Sequence, residues 1–323
     1  MSIIEDMMKV ELHCHLDGSM NPELIRELSG NKNLSIEDLQ VTKECKSLTE
    51  YLQKFDLPLS CLQNAQGLEK AAYHFVEDVA KENVRYVEVR FAPMLSVNSQ
   101  MDCRTVIENV IKGLEKAGRE YSVYASVIVC AMRHHSEEQN MQMLKTAREF
   151  LGHGVCALDL AGDESMFPTK MFRELFRKAS DWDMPFTIHS GECGSLENVK
   201  EAIALGAKRL GHGIALEQSY EIQELCRKKR IGIEMCPTSN LQTKAIKDFS
   251  HYPLSSFMKN GLLVSVNTDN RTVSGTTMTK ELTLVKDILN ESEENIRKCI
   301  ENAIETSFAD EQIKHELWKK NKG

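Results

Sequence analysis

The sequence predicts an α/β fold, a (β/α)8 TIM barrel with additional helices after the first strand and at the C-terminus. Eight strand-like segments follow one another along the chain, and helical segments separate nearly all of them. Neither a Gly-x-Gly-x-x-Gly motif nor a Walker loop follows any of these strands. Strict alternation requires parallel strands with right-handed crossovers, and eight strands favour a closed barrel over the alternative, a doubly wound open sheet.

The first predicted strand lies within residues 9–18, where apolar and polar residues alternate. This period of two predicts a strand and sends His13 and His15 to the same face. Two imidazoles at i and i+2 on a rigid strand can converge on one metal ion, although an edge strand with two exposed histidines would show the same pattern. Cys14 would point to the other face.

The other elements follow from hydrophobic periodicity and from capping residues. A short helix begins at Asn21-Pro22, and residues 31–62 are expected to form short helices and turns that cover a site. Further strands are predicted at 84–93, 121–132, 154–161, 185–190, 209–215, 231–236 and 262–268. Helices are predicted at 66–83, 102–117, 136–152, 168–182, 195–205, 218–230, 253–260, 276–290, 292–307 and 310–320.

Composition limits the class of protein. The 323 residues are 41% hydrophobic and 27% charged, which is typical of a globular protein with a large core. A net charge of −8 and the absence of basic runs argue against nucleic-acid and anionic-membrane partners. We expect one domain over residues 1–323; the sequence gives no indication of the oligomeric state.

The expected location is the cytoplasm. No apolar stretch is long enough to span a bilayer, and residues 1–8 lack the basic-then-apolar order of a signal peptide. The ten cysteines are spread singly, without a Cys-x-x-Cys pair, as in proteins of a reducing compartment.

Unusual polar residues recur at the ends of the predicted strands, where TIM barrels carry their chemistry. His13, His15 and Asp17 end the first strand, His189 and Glu192 follow the fifth, Gly211-His212-Gly213 lies on the sixth, and Asp269-Asn270 follows the eighth. A histidine or an acid at one strand end is usually structural, but the same coincidence at four strand ends favours a functional site.

Three imidazoles and one carboxylate suit a catalytic divalent metal with one position left for water, and we expect a single zinc ion. The predicted ligands are His13, His15, His189 and Asp269. Glu192 can face the metal pocket without ligating, and a carboxyl in a partly desolvated pocket can donate a proton. His212 is placed to contact water at the metal, although a histidine in a tight turn is the simpler alternative.

Six segments of the chain, in register from about residue 9 to 281, resemble the adenosine deaminases of the metal-dependent hydrolases. They are Lys-Val-Glu-Leu-His-Cys-His-Leu-Asp-Gly from Lys9, Asp-Leu-Ala-Gly-Asp-Glu from Asp159, His-Ser-Gly-Glu from His189, Leu-Gly-His-Gly from Leu210, Glu-Met-Cys-Pro-Thr-Ser-Asn from Glu234 and Asn-Thr-Asp from Asn267.

The resemblance implies a zinc enzyme of purine salvage that converts adenosine or 2′-deoxyadenosine to inosine or 2′-deoxyinosine and ammonia. It implies that Glu192 protonates purine N1, and that Asp269 and His212 orient and deprotonate the attacking water. Implied substrate contacts are His15, Asp17 to the ribose 5′-hydroxyl, the Gly162 backbone N–H to purine N3, and Asn270.

Asn270 departs from the family pattern, because many members have a second acid here that contacts purine N7. An asparagine amide can still donate to a ring nitrogen. Relatives act on adenine, on methylated AMP or on modified nucleosides such as aminodeoxyfutalosine. Asp17 argues against the first two, because a carboxylate lacks a ribose partner in adenine and repels a 5′-phosphate.

Two other classes of function remain as alternatives. A different mononuclear amidohydrolase, acting on amides or phosphotriesters, would use a similar barrel. A two-metal version usually needs a bridging lysine carbamate or another acid at the end of strand four; Asp159 is available there but no lysine is, which favours one metal. A barrel that only binds a ligand would be expected to have lost catalytic positions, and none is lost.

Overall fold

The computed structural model describes residues 3–41, 51 and 53–322, and its centre is a ring of eight parallel strands. They are β1 Lys9–His15, β2 Val84–Phe91, β3 Tyr124–Met132, β4 Val155–Ala161, β5 Thr187–Ser190, β6 Arg209–His212, β7 Gly232–Met235 and β8 Leu263–Val266. Strands β1 to β4 pair in sequence order, and so do β5 to β8. The predicted α/β fold with parallel strands is confirmed.

Backbone contacts join the two four-stranded halves at both seams. Leu158 of β4 bridges to Phe186, just before β5. At the other seam Asp269, just after β8, bridges to Cys14. The Asp269 N–H donates to the His13 carbonyl at 2.8 Å, and the His15 N–H donates to the Asp269 carbonyl at 2.7 Å. The second seam therefore fixes Asp269 directly beside the two histidines of β1.

Helices surround the strands and mostly begin where the capping residues predict. The helices are α1 Ile3–Asp6, α2 Pro22–Ser29, α3 Ile36–Leu39, α4 Asp56–Cys61, α5 Ala65–Ala80, α6 Cys103–Tyr121, α7 Glu137–Arg148, α8 Arg173–Asp181, α9 Leu196–Leu205, α10 Tyr220–Lys229, α11 Pro237–Gln242, α12 Leu254–Lys259, α13 Met278–Asp287, α14 Glu293–Thr306 and α15 Glu311–Lys322. Asp102 caps α6, and Ser136 forms the predicted capping box with Gln139.

Most observed bounds lie within a few residues of the predicted ones, and two of the differences have a clear structural form. The helix expected at 168–182 begins as a 3-10 turn, Thr169–Phe172, before α8. The strand expected at 209–215 ends at His212, because His212 and Gly213 have φ values of +63° and +66° that no strand continues. This early end turns the chain so that His212 faces the barrel mouth.

The insertion at residues 31–62 follows the first strand and lies partly within the described residues. Within the described residues it contains α3, a 3-10 turn at Gln53–Phe55 and α4, as predicted, while residues 42–50 and 52 lie outside the described residues. Tyr51, Phe55 and Leu59 from this insertion line the cavity at the barrel mouth. None of the helices in the described ranges combines the length and apolar character that a bilayer span needs. The single domain and the cytoplasmic location stay predictions.

Candidate metal centre and active site

The carboxyl ends of β1, β5, β6 and β8 bring three histidines and an aspartate into one buried cluster. Ligand atoms of His13, His189, His212 and Asp269 all lie within 4.8 Å of one another. The His15 Nε2 atom lies 3.2 Å from His189 Nε2 and 3.5 Å from Asp269 Oδ1. The structure therefore brings together all four predicted ligands and places His212 against them.

Carboxylates below the cluster orient two of these imidazoles. His13 Nδ1 lies 2.8 Å from Glu234 Oε2, and His189 Nδ1 lies 2.9 Å from Asp159 Oδ2. Arg90, fully buried, lies 2.9 Å from Glu234 and 3.0 Å from Asp159, so one guanidinium stabilises both carboxylates. With a carboxylate close to each Nδ1 atom, the Nε2 atoms of both histidines face the cluster, which is the arrangement of metal-binding histidines.

Asp269 occupies a backbone conformation that side chains other than glycine rarely adopt, with φ of +59°. Its Oδ1 atom lies 3.4 Å from His13 Nε2, and its Oδ2 atom accepts a hydrogen bond from Ser239 at 2.6 Å. Although burial alone would raise it, the proximity of His13 holds the pKa of Asp269 well below its usual range. Asp269 is therefore a carboxylate.

The residues around His212 determine which of its nitrogens carries the proton. Tyr252 donates its hydroxyl to Asn240 Oδ1 at 2.9 Å, so the Asn240 amide nitrogen faces His212 Nδ1, at 2.9 Å. An amide N–H donates only to an unprotonated nitrogen, so Nδ1 is the acceptor and Nε2 carries the hydrogen. Burial, followed by the charge of His13, holds the pKa of His212 well below its usual value. His212 therefore offers an N–H, not a lone pair, to the cavity.

Glu192 lies on the turn after β5 and directs its carboxyl towards the same point. Thr243 donates to its Oε1 atom at 2.8 Å, and its Oε2 atom lies 3.5 Å from His212 Nε2. Burial, and next the carboxylate of Asp269, raise the pKa of Glu192 to about 8. A protonated carboxyl beside a metal-type cluster is suited to proton donation.

Above the cluster lies a cavity of about 350 Å³ with a largely apolar wall. Apolar side chains from the insertion and the strand ends, among them Phe55, Leu95 and Phe167, form this wall. Three acids besides Glu192 and Asp269 line it: Asp17, Asp56 and Asp163. Among the described residues that line it, there is no lysine or arginine.

The predicted substrate-contacting residues also line this cavity. Asp17 is 8% exposed, and burial raises the pKa of its carboxyl to about 6. Gly162 has φ of +106°, which glycine adopts readily, and it begins the loop after β4. Asn270 donates to the Tyr51 hydroxyl at 2.9 Å, while its Oδ1 atom is buried without a partner among the described residues.

Several residues at the site had no role assigned from the sequence, although Glu234, Ser239 and Asn240 belong to one of the six segments that resemble the family. Ser239 and Asn240 lie in the first turns of α11, a helix that sequence analysis missed because it has only six residues. Arg90 and Glu234 lie inside the barrel. Their residue type could have indicated this role, because an Arg and a Glu within otherwise apolar strands need buried partners.

The cluster fits a metal ion. The His13 Nε2 atom is buried without a hydrogen-bond partner among the described residues, although it faces Asp269 and the other imidazoles. Two further imidazole nitrogens, of His15 and His189, face each other at 3.2 Å. Imidazole and carboxylate donors of this kind suit zinc and other borderline divalent metals, and Cys14 Sγ turns away towards Ser19 and Thr268.

Comparison with known proteins relates the chain to one family. The adenosine deaminase family model matches residues 8–321. The chain is 38% identical to the adenosine deaminase of Clostridium perfringens, covering 97% of both proteins. It is 40% identical to the adenosine deaminase of Clostridium botulinum, covering 96% of this chain and 95% of that protein.

Solved structures share the fold. An adenine deaminase from Arthrobacter aurescens superposes with a TM-score of 0.88 at 22% identity, covering 98% of each chain. An N6-methyl-AMP deaminase from Arabidopsis superposes with a TM-score of 0.87 at 26% identity, covering 100% of this chain and 99% of that one. Proteins with this fold thus differ in their named substrates, and the choice among bases, nucleosides and nucleotides depends on the residues of the cavity.

Proposed function

The chain belongs to the adenosine deaminase family, and from this premise we propose that it hydrolyses adenosine and 2′-deoxyadenosine to inosine and 2′-deoxyinosine with release of ammonia. The reaction uses one zinc ion per chain and serves purine salvage. The proposed ligands are His13, His15, His189 and Asp269. The observation that carries the proposal is Glu192, whose carboxyl lines the same cavity as the histidine cluster.

Hydrolysis adds water to C6 of the purine and then breaks the C6–N6 bond. When bound, zinc acts as a Lewis acid that makes water nucleophilic near neutral pH. Glu192 donates a proton to N1, which lets the ring accept the electrons displaced by the attack on C6. The high pKa of Glu192 keeps that proton available at neutral pH.

Asp269 and His212 play different parts in handling the attacking water. The Asp269 carboxylate accepts a proton from this water, because its low pKa keeps Asp269 ionised. His212 donates its Nε2–H to the attacking oxygen, because Asn240 already occupies the Nδ1 lone pair. The proton gained by Asp269 then passes to the departing amine. As the C6–N6 bond breaks and ammonia leaves, the C6 hydroxyl gives its remaining proton to the ionised Glu192, so that both carboxyl groups return to their starting states.

The cavity favours a nucleoside over a nucleotide or a free base. Asp17 is buried at the cavity wall, where its carboxyl can accept a hydrogen bond from a ribose 5′-hydroxyl. A 5′-phosphate would meet Asp17 and Asp163 instead of a cation among the described lining residues. A free adenine would leave Asp17 without a partner. A modified 6-aminopurine nucleoside such as aminodeoxyfutalosine is the remaining alternative, because it also carries a ribose.

The test is a comparison of substrates by the absorbance change of deamination. Purified zinc-loaded protein is incubated with adenosine, 2′-deoxyadenosine, adenine, AMP and aminodeoxyfutalosine. We expect the highest kcat/KM with the first two. Preference for AMP or adenine would contradict the assignment of Asp17, and preference for aminodeoxyfutalosine would select the alternative.

Glu192→Gln tests the proposed mechanism. General acids contribute roughly a hundred- to ten-thousand-fold to rate, so the variant should lose most of its kcat while retaining zinc and its melting temperature. Loss of zinc from the variant would show instead that Glu192 is needed to bind the metal. Full activity would show that another group protonates N1.

A further inference from the structure

Glu164 is a buried acid that the proposed chemistry does not use. It is 3% exposed and lies two residues after Gly162, on the loop that follows β4. A buried carboxylate needs hydrogen-bond donors to compensate for its lost hydration. The donors identify what Glu164 holds in place.

Both carboxylate oxygens of Glu164 accept backbone N–H groups from the turn that carries Glu192. The Gly191 N–H donates to Oε1 at 2.6 Å, and the Cys193 N–H donates to Oε2 at 3.1 Å. These are the residues on either side of Glu192. One carboxylate therefore fixes the backbone immediately before and after the proposed proton donor.

The turn has little other support. Its two glycines, Gly191 and Gly194, have φ values of +83° and +78°, and glycine has the widest conformational freedom of any residue. Two further hydrogen bonds reach the backbone of the turn: the Gly191 carbonyl accepts the Ala215 N–H at 2.9 Å, and the Gly194 carbonyl accepts the Gln218 side-chain amide at 2.9 Å. Thr243 holds the tip of the Glu192 side chain, but it does not hold the backbone.

The loop on which Glu164 lies is itself anchored. The Asn198 amide contacts the Glu164 carbonyl at 3.4 Å and accepts the Thr169 N–H at 2.9 Å. Arg133, buried and close enough for its charge to act on Glu164, donates to the His189 carbonyl at 2.7 Å. Glu164 thus joins a supported loop to a weakly supported turn.

We propose that Glu164 is a positioning residue, which joins the Gly162 loop to the Glu192 turn and so fixes the group that binds purine N3 relative to the group that protonates N1. This inference rests on the proposed function. N1 and N3 belong to the same ring, so an error in the separation of the two protein groups cannot be corrected by moving the substrate. Small displacements of a proton donor reduce the rate more than they reduce binding.

Glu164→Gln tests the contact directly, because a glutamine offers one acceptor oxygen and its NH₂ group opposes one of the two N–H donors. Hydrogen exchange of the Gly191 and Cys193 amides reports on the turn without any substrate. We expect exchange of at least one of them to accelerate about tenfold or more. Unchanged exchange at both amides would overturn the proposal.

The kinetic arm separates positioning from general destabilisation. In Glu164→Gln, kcat with adenosine should fall about tenfold or more, while zinc content and the Kd of 1-deazaadenosine, which has no N1 to protonate, change less than about twofold. On a Glu192→Gln background, Glu164→Gln should reduce the rate no further, because the group that it positions is gone. A further tenfold loss on that background would overturn the proposal.

Two variants complete the design. Glu291→Gln changes another buried glutamate, which accepts a hydrogen bond from Asn295 at 2.6 Å and does not line the cavity, and it should leave kcat unchanged. Glu164→Asp keeps the charge, but its side chain is too short to make both hydrogen bonds. If Glu164→Gln does not fold, the same measurements are made on Glu164→Asp. A wild type inactive on adenosine would contradict the proposed function alone, since the exchange experiment tests Glu164 independently.

Discussion

Asn270 illustrates how closely single side chains are fitted at this site. A Cβ atom on Gly18 would lie 1.9 Å from Asn270 Oδ1, so the glycine after Asp17 provides the space for the amide. One N–H of that amide goes to Tyr51, whose hydroxyl lies 2.8 Å from Ser274 Oγ. The second N–H remains for a ligand, which supports a contact to purine N7.

Asn270→Leu should lower kcat/KM for adenosine by roughly 1–3 kcal/mol, because purine N7 would be buried without a donor. The variant is compared with wild type on adenosine and on 7-deazaadenosine, which lacks the N7 acceptor. Wild type should process 7-deazaadenosine poorly, and Asn270→Leu should make it little worse. Equal losses on both substrates would indicate that Asn270 instead supports its neighbour Asp269.

Individual residues differed in how far the sequence could predict them. His13, His15, His189 and Asp269 lie at strand ends, where the barrel topology alone brings them together. Ser239 and Asn240 act through their contacts with Asp269 and His212. Those contacts depend on how a six-residue helix packs against two other strand ends, which sequence periodicity does not encode.

At the scale of elements, α11 and α13 are coupled by a buried acid. Glu281 of α13 is fully buried and accepts the Thr238 N–H of α11 at 3.1 Å as well as the Thr276 hydroxyl. Burial raises the pKa of Glu281 to about 7. A glutamine has the shape of the protonated acid and can make both hydrogen bonds, so Glu281→Gln is a matched substitution.

Glu281→Gln should become more stable relative to wild type as pH rises. In the unfolded chain Glu281 ionises near its usual pKa of 4.5, whereas in the folded chain it keeps its proton until about pH 7. Folded wild type therefore binds the extra proton between these values and loses stability as pH rises through this window, by up to about 3 kcal/mol. The glutamine variant lacks this loss.

The measurement is urea unfolding of both proteins at pH 5 and pH 7.5, in the same metal state. Metal affinity also varies with pH, and the comparison of two proteins in one state removes that contribution. Glu115→Gln, at an exposed position on α6, is the control for the removal of one glutamate charge. A constant difference between Glu281→Gln and wild type at both pH values would contradict the assignment.

Secondary-structure elements were predicted well where capping residues and periodicity agree, as for α6 after Asp102 and α9 before Gly206. The errors lie where a tertiary contact ends or begins an element. β6 stops at His212 because the chain turns into the active site, and α11 begins at Pro237 directly after β7. Both departures bring side chains to the candidate metal centre.

Across the whole molecule, the barrel interior carries charges that connect its two ends. TIM barrels usually fill this space with branched apolar side chains. Here Arg209 lies 2.5 Å from Glu234 and 2.5 Å from Glu88. Arg209 also donates to the Thr306 carbonyl, near the end of the barrel where the strands begin. Glu234 continues the network upwards to His13. The metal centre is thus one end of a buried ionic network.

Removal of the metal should therefore lower the stability of the whole chain. A ligand at a hundred times its Kd stabilises the folded state by about 2.7 kcal/mol. For a chain of this size we expect chelator treatment to lower the Tm by about 5 °C or more, with recovery on adding one equivalent of zinc. Elemental analysis of the protein as purified should give one metal ion per chain.

A ligand variant shows whether the change in Tm comes from the cluster. Asp269→Asn removes the carboxylate that faces three of the imidazoles, so its Tm should respond to chelator and zinc far less than that of wild type. Ser292→Ala, which removes the cap of α14, lowers stability by about 1 kcal/mol without touching the cluster and should retain the full response. If chelation changes neither the Tm nor the activity of wild type, the site holds no metal. The three imidazoles would then converge without a cation between them.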